Sequence, residues 1–206
     1  MYDLLSDLEI ERLPLIDADL LFWRQLDLDR PCDSLLQELI ESTEWRHEKI
    51  TVYGKSYLQP RLSAWHGDLS YSYSGIRLEP QPWTATLSHL KARVEALSGH
   101  EFNSVLLNYY RDQNDSMGMH SDDERELGRQ PAIASLSLGE DRTFLLKHKT
   151  RKDLKTTRLA LPAGSLLLMQ GDTQQYWRHG INKERHPCGP RINLTFRAIK
   201  GKAKSR

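Results

Sequence analysis

Arg191-Ile-Asn-Leu-Thr-Phe-Arg197 alternates polar and apolar residues without a break. In an extended strand, successive side chains point to opposite faces. Arg191, Asn193, Thr195 and Arg197 therefore share one face, and Ile192, Leu194 and Phe196 share the other. Upstream lie more short apolar runs, at 104–110, 133–138, 143–147, 156–161 and 165–169. Turn residues separate them: Gly139-Glu-Asp, Pro162-Ala-Gly164 and Cys188-Gly-Pro190. Short strands at such spacing predict a sandwich or closed barrel for the second half of the chain. The charged stretch 148–155 reads as a surface turn.

The first half has a different pattern. Residues 31–41 carry Leu35, Leu36, Leu39 and Ile40 in a helical stripe, with Asp33 or Ser34 as candidate caps. A second helix is expected over 83–98, with Pro82 before it and Gly99 after it. Between them, 45–53 and 57–62 read as extended pieces around Tyr53-Gly54-Lys55, a candidate hairpin. Residues 69–74 alternate serine with tyrosine. Residues 1–30 read as an irregular leader with some helical turns. The fold class is thus α+β, helices first and a β core after.

Bulk properties say less. The chain has 206 residues, with 29 Lys+Arg against 28 Asp+Glu and a net charge of +1. Local charge must decide its partners. Two cysteines, Cys32 and Cys188, make neither a disulfide framework nor a CxxC metal site, and a reducing cytoplasm is the easier setting. The N-terminus is acidic where a signal peptide would be basic. No apolar run approaches the roughly 20 residues of a membrane span.

The candidate chemistry begins at His120-Ser-Asp122. In an extended segment these two side chains point the same way, so an imidazole and a carboxylate can reach one ion. His179 lies 59 residues on and supplies a third ligand. Two histidines and one carboxylate on one face of an ion form the facial triad of non-haem Fe(II) oxygenases. HxD alone occurs often by chance, and His66-Gly-Asp68 is a second copy, outside the β-rich half. The polar face of 191–197 supports the oxygenase reading. Two guanidiniums inside a barrel need an anion, because burying them unpaired is very costly. A dicarboxylate suits them. The same face would equally suit an edge strand in water.

Taken together, Asn108-Tyr-Tyr110, His120-x-Asp122, His179 and the strand 191–197 resemble the AlkB family of nucleic-acid dealkylases. The resemblance covers about residues 50–200. VYGK, QPRL, LSYSYSG and HSDDERELG are similar to its double-strand-DNA repair branch. The resemblance implies a double-stranded β-helix, or jelly-roll, core over 101–200. It also implies a nucleotide-recognition lid with a β-hairpin over 46–100, one integrated domain over 46–200, and an N-terminal extension over 1–45.

The resemblance further implies Fe(II) on His120, Asp122 and His179. It places the co-substrate 2-oxoglutarate on Asn108, Tyr110, Arg191, Asn193, Thr195 and Arg197, and dioxygen as the oxidant. Arg191 is favoured for the distal carboxylate. On the substrate side it implies a flipped base stacked between Tyr73 and His120, flanked by Tyr71 and Ser74. Asp123 and Glu124 would face the base. Tyr53, Gly54 and Lys55 form a finger filling the vacated gap, with Arg61 against the backbone or orphan base. The family more often has phenylalanine where Tyr53 and Tyr73 stand. Lys147, His148, Lys149, Arg151, Lys152 and Lys155 form a basic cluster suited to phosphates.

The implied reaction is demethylation of 1-methyladenine and 3-methylcytosine in DNA, releasing formaldehyde, succinate and CO2. RNA or protein as substrate is the alternative, and a non-enzymatic jelly-roll binding module is a third reading. The expected setting is a monomer away from membranes, in the cytoplasm, near the nucleoid in a bacterium or in the nucleus of a eukaryote.

Overall fold

The computed structural model describes residues 9–52, 55–69, 71–73 and 76–200; within these, 50–52, 55, 71–73 and 76–78 are described by backbone only. In chain order the strands are β1 (Ile10–Arg12), β2 (Asp19–Trp23), β3 (Lys49–Val52), β4 (Lys55–Leu58), β5 (Leu62–Gly67), β6 (Tyr71–Tyr73), β7 (Ile76–Leu78), β8 (Ser104–Tyr110), β9 (Met117–His120), β10 (Ile133–Gly139), β11 (Arg142–His148), β12 (Thr157–Leu161), β13 (Leu166–Gln170), β14 (Trp177–Ile181) and β15 (Arg191–Arg197). The helices are α1 (Cys32–Ser42), α2 (Ala85–Ser98) and the single turn α3 (Thr173–Tyr176). A major sheet runs β1-β2-β13-β10-β15-β8-β5, and a minor sheet runs β12-β11-β14-β9. The pairs β3-β4 and β6-β7 stand apart as hairpins. The two sheets form the jelly-roll core of an α+β fold.

Alternation along the strands builds two hydrophobic layers. On β13, Leu166 and Leu168 face α1 and α2, joining Leu35, Leu39, Leu87, Leu90 and Val94. The intervening Leu167 and Met169 face the space between the sheets, with Phe22, Leu106, Phe144 and Trp177. On β15, Ile192, Leu194 and Phe196 lie in the helix layer. Its four polar residues turn inward instead. All seven residues of β15 are buried, so this is a central strand rather than an edge.

Three expectations change at the N-terminal end. Part of the leader is sheet, since β2 pairs with β13 over Asp19–Trp23 and β1 pairs with β2. The Leu-Leu-Phe-Trp run at 20–23 is explained by burial, not by helical turns. Helix α1 starts after Pro31 without a side-chain cap, so neither Asp33 nor Ser34 caps it. Helix α2 begins at Ala85, because Thr84 is its cap and accepts from the Leu87 N–H. Gly99 ends α2 in the left-handed conformation, φ 71°, which glycine adopts without strain.

Among the described residues, no helix is long and apolar enough to cross a membrane.

Candidate metal centre and co-substrate cradle

His120 and His179 face each other across paired strands. His120 ends β9 and sits in register with His179 on β14. Their ring centroids are 4.3 Å apart. Asp122 follows two residues later, with Oδ2 3.5 Å from His179 Nε2. One ligand atom from each of the three residues lies within 4.8 Å of the others. No other His/Cys/Asp/Glu group among the described residues does this.

The strand pair comes this close because residue 180 is glycine. A Cβ there would sit 2.8 Å from the Met117 carbonyl oxygen, and the β9–β14 register slips between His179 and Ile181. His120 Nδ1 lies 2.9 Å from the Gly118 carbonyl. A carbonyl only accepts, so Nδ1 carries the proton and Nε2 keeps its lone pair for a metal. The His179 ring stacks on Phe144 at 5.2 Å.

Electrostatics favour a cation at this spot. Burial pushes the Asp122 carboxyl up, but the Arg197 guanidinium and both imidazoles outweigh it, and the net shift is far downward. Burial, then the neighbouring His179, push His120 down to about 3. Near neutral pH the set is therefore a carboxylate and a neutral imidazole beside His179. Asp122 Oδ2 is buried without a hydrogen-bond partner. An orphaned anionic oxygen beside two imidazoles fits a divalent ion, and two histidines with one carboxylate suit Fe(II).

The inner face of β15 continues the cavity. Asn108, Tyr110, His120, Asp122, His179, Arg191, Asn193, Thr195 and Arg197 line one pocket with Ser135, Phe144 and Met169. Arg191 is 1% exposed and donates from Nη2 to Ser137 Oγ at 2.9 Å. Its Nε and Nη1 have no hydrogen-bond partner. Burial, the largest cause, lowers the Arg191 guanidinium to about 10. Its charge rests 5.3 Å from the Tyr110 ring centroid, with Arg142 5.6 Å from the same ring. Asn193 donates to Ser135 Oγ and the Leu136 carbonyl, and Thr195 donates to Asn193 Oδ1. A buried guanidinium with two free donor nitrogens fits a carboxylate.

The substrate-side residues are more scattered. Asp123 is largely exposed and pairs with Lys149 at 3.0 Å. Glu124 is half-buried just before a single 3₁₀ turn at Arg125–Leu127. Arg61 is buried, and its Nε donates to Asn108 Oδ1 at 2.7 Å. It thus meets a co-substrate candidate. Tyr53, Gly54 and Ser74 lie outside the described residues, as do the side chains of Lys55, Tyr71 and Tyr73.

One sequence reading is corrected, and the discounting of the second HxD motif is supported. His148 is not part of a phosphate-facing cluster. It is buried at the end of β11, and Nδ1 accepts from the Thr150 and Arg151 N–H groups. The second HxD motif is structural, since His66 Nδ1 donates to the Pro82 carbonyl and Asp68 accepts from Trp83 Nε1. The sequence reading also passed over Ser135 and Ser137, which brace Asn193 and Arg191. Their only signal was two serines spaced i, i+2 in an otherwise apolar strand.

Residues 29–197 match the family model described as the 2OG-Fe(II) oxygenase superfamily. A mouse protein named DNA oxidative demethylase ALKBH2 is 39% identical over 178 residues, covering 81% of this chain and 74% of that protein. The chain belongs to the AlkB family of 2OG-Fe(II) oxygenases. The human alpha-ketoglutarate-dependent dioxygenase alkB homolog 3 is 43% identical over 178 residues, or 82% of this AlkB-family chain. The chain spans 62% of that relative's length. The solved structure of OsALKBH1 superposes with a TM-score of 0.64 at 15% identity, covering 92% of this chain and 100% of that one. At that identity the superposition speaks for the jelly-roll fold alone.

Proposed function

We propose that this protein is an oxidative DNA demethylase that removes N-methyl groups from bases such as 1-methyladenine and 3-methylcytosine. The observation that carries the proposal is one pocket lined by two functional groups. The His120, Asp122 and His179 cluster and the incompletely paired guanidinium of Arg191 line the same pocket. The name of the relative at 39% identity adds the class of substrate, and that of the relative at 43% adds the co-substrate.

His120, Asp122 and His179 would hold Fe(II), and Arg191, Asn193, Thr195, Asn108 and Tyr110 would hold 2-oxoglutarate. When bound with dioxygen, this pair supplies the oxidising power for N-methyl hydroxylation. The protein supplies position, charge and exclusion of water. Arg191 fixes one end of the dicarboxylate and thereby its register along β15. Tyr110 caps the guanidinium from the side. Phe144 and Met169 add apolar surface to an otherwise polar cavity wall. The hydroxylated methyl leaves as formaldehyde, with succinate and CO2 from the co-substrate. Asp123, beside the metal loop, would accept from an exocyclic amine of the base and offset the positive charge of the alkylated ring. Tyr73 would stack on that base, and Tyr53-Gly54-Lys55 would fill its place in the duplex.

The test is direct. Purified protein is loaded anaerobically with Fe(II) and 2-oxoglutarate, then given oxygen and methylated single- and double-stranded DNA and RNA. Mass spectrometry follows methyl loss and succinate. Succinate without dealkylation of any nucleic acid would redirect the search to another substrate. Full activity in Asp122→Ala would overturn the metal assignment.

A further inference from the structure

The sheet does not hold Asp122. Ladder pairing of β9 ends at His120, and the chain leaves the sheet at Ser121. Two side-chain bonds take over. Ser121 Oγ donates to the Trp177 carbonyl at 2.9 Å. The Asp122 N–H donates to Gln174 Oε1 at 2.9 Å, and both residues are 1% exposed.

Gln174 sits in α3, between β13 and β14, and that turn is itself locked. Thr173 Oγ1 accepts from the Asp19 N–H at 2.9 Å and donates to the Gln170 carbonyl at 2.6 Å. Gln174 Nε2 points at Met169 Sδ, 3.5 Å away. Its backbone carbonyl accepts from Lys149 Nζ at 2.8 Å. The amide is therefore held from both ends against the frame of the barrel.

The geometry points to Gln174 as a positioning residue for the metal centre. Asp122 is gripped at two points, at the carboxylate by Arg197 and at the backbone nitrogen by Gln174. Two points fix the tilt of the residue, and so fix where Oδ2 stands relative to the two imidazoles. One point would let the carboxylate swing about its contact with Arg197. A methionine or leucine would fill the same volume without the cost of burying an amide. The amide serves a backbone donor that has left the ladder inside the core and would otherwise lack a partner. The inference rests on the reading that His120, Asp122 and His179 hold a divalent ion.

The experiment titrates Mn(II) into the metal-free full chain well below its melting temperature, following free Mn(II) by electron paramagnetic resonance. Four proteins are compared: wild type, Q174M, Q174E and D122A. Q174M keeps the length of the side chain and lacks the acceptor, and should bind Mn(II) roughly 10–100-fold more weakly, the usual effect of losing a group that orients a ligand. Q174E keeps an acceptor oxygen in place and should lose less affinity than Q174M. D122A should lose binding.

Should Q174M fail to fold, Q174N replaces it, since its amide falls one methylene short of the Asp122 N–H, and the same loss is expected. Wild-type affinity in Q174M beside lost affinity in D122A overturns the role of Gln174 and leaves the metal site standing. Equal losses in Q174M and Q174E also overturn it, because packing alone would then explain them. Wild-type affinity in D122A overturns the metal reading and this inference with it.

Discussion

Arg197 Nη2 lies 2.6 Å from Asp122 Oδ1, and neither side chain is more than 2% exposed. The last strand of the barrel therefore neutralises a residue of the candidate metal cluster, 75 positions earlier in the chain. Sequence reading gave Arg197 to the co-substrate, and the structure adds Asp122 as its charge partner. A buried pair of this kind is weak evidence for net stability, but breaking it from one side is costly.

Arg197→Met should destabilise the metal-free protein by roughly 3–5 kcal/mol, the cost of leaving a buried carboxylate uncompensated. A divalent ion at the cluster would restore the missing positive charge. Mn(II) should then raise the melting temperature of the variant more than that of wild type. Equal Mn(II)-induced shifts in the two proteins would mean that the ion does not sit against Asp122.

Arg191 leads to the opposite expectation. Its guanidinium is buried with two nitrogens unpartnered, so the metal-free protein bears its desolvation cost with little return. Arg191→Met should leave the unliganded melting temperature unchanged or higher. The same change removes a charge-assisted hydrogen-bonding group, worth roughly 2–3 kcal/mol, and should weaken 2-oxoglutarate binding by about 30–150-fold. Calorimetric titration beside thermal melting checks both halves. A variant that is less stable yet binds 2-oxoglutarate normally would show that Arg191 is structural.

Acid should destabilise the metal-free protein well above the carboxylate range. Burial holds His120 at about 3 against an ordinary 6.5, and burial also lowers His66. As pH falls through about 6.5, the unfolded chain takes up protons that the folded chain refuses, so stability falls. For His120 alone the loss between pH 7.5 and 5.5 is roughly 1.4 kcal/mol. Asp122 does not titrate in that window, because its folded value lies far below the usual one. Urea unfolding at pH 7.5, 6.5 and 5.5 measures the slope, and His120→Asn should flatten it. A slope unchanged in that variant would assign the effect to other groups.

The sequence made β15 legible and left the ligand strands hidden, for physical reasons. β15 alternates perfectly because one face meets the helix layer and the other faces a polar cavity. Met117-Gly-Met-His120 and Trp177-Arg-His-Gly-Ile181 show no such rhythm. Gly180 is there to let two backbones approach, and glycine reads as a strand breaker. His120, Asp122 and His179 were legible as candidates from residue type and spacing, and the fold brings the three side chains together. Gln174 left no trace: one glutamine in Asp-Thr-Gln-Gln carries no pattern, and only the fold brings it to Asp122. β1 is equally silent, since its three residues are exposed and only pairing defines it.

The proposed nucleic-acid substrate makes a further demand on Lys149. Its ammonium is held by Asp123 at 3.0 Å and by the Gln174 carbonyl at 2.8 Å, while Lys147 on β11 is exposed. A phosphate can recruit Lys147 directly, whereas it must compete for Lys149. Each contact formed releases about one counterion, so removing it should lower the slope of log K against log salt by about 0.9 on duplex DNA. Lys147→Ala should show that full change. Lys149→Ala should show it only if DNA displaces Asp123, and Asp123→Asn should then bind more tightly than wild type by removing one of the two groups that hold the ammonium. Fluorescence anisotropy of labelled duplex over a salt series measures all three. Unchanged slopes in both lysine variants would remove this face of the minor sheet from the binding path.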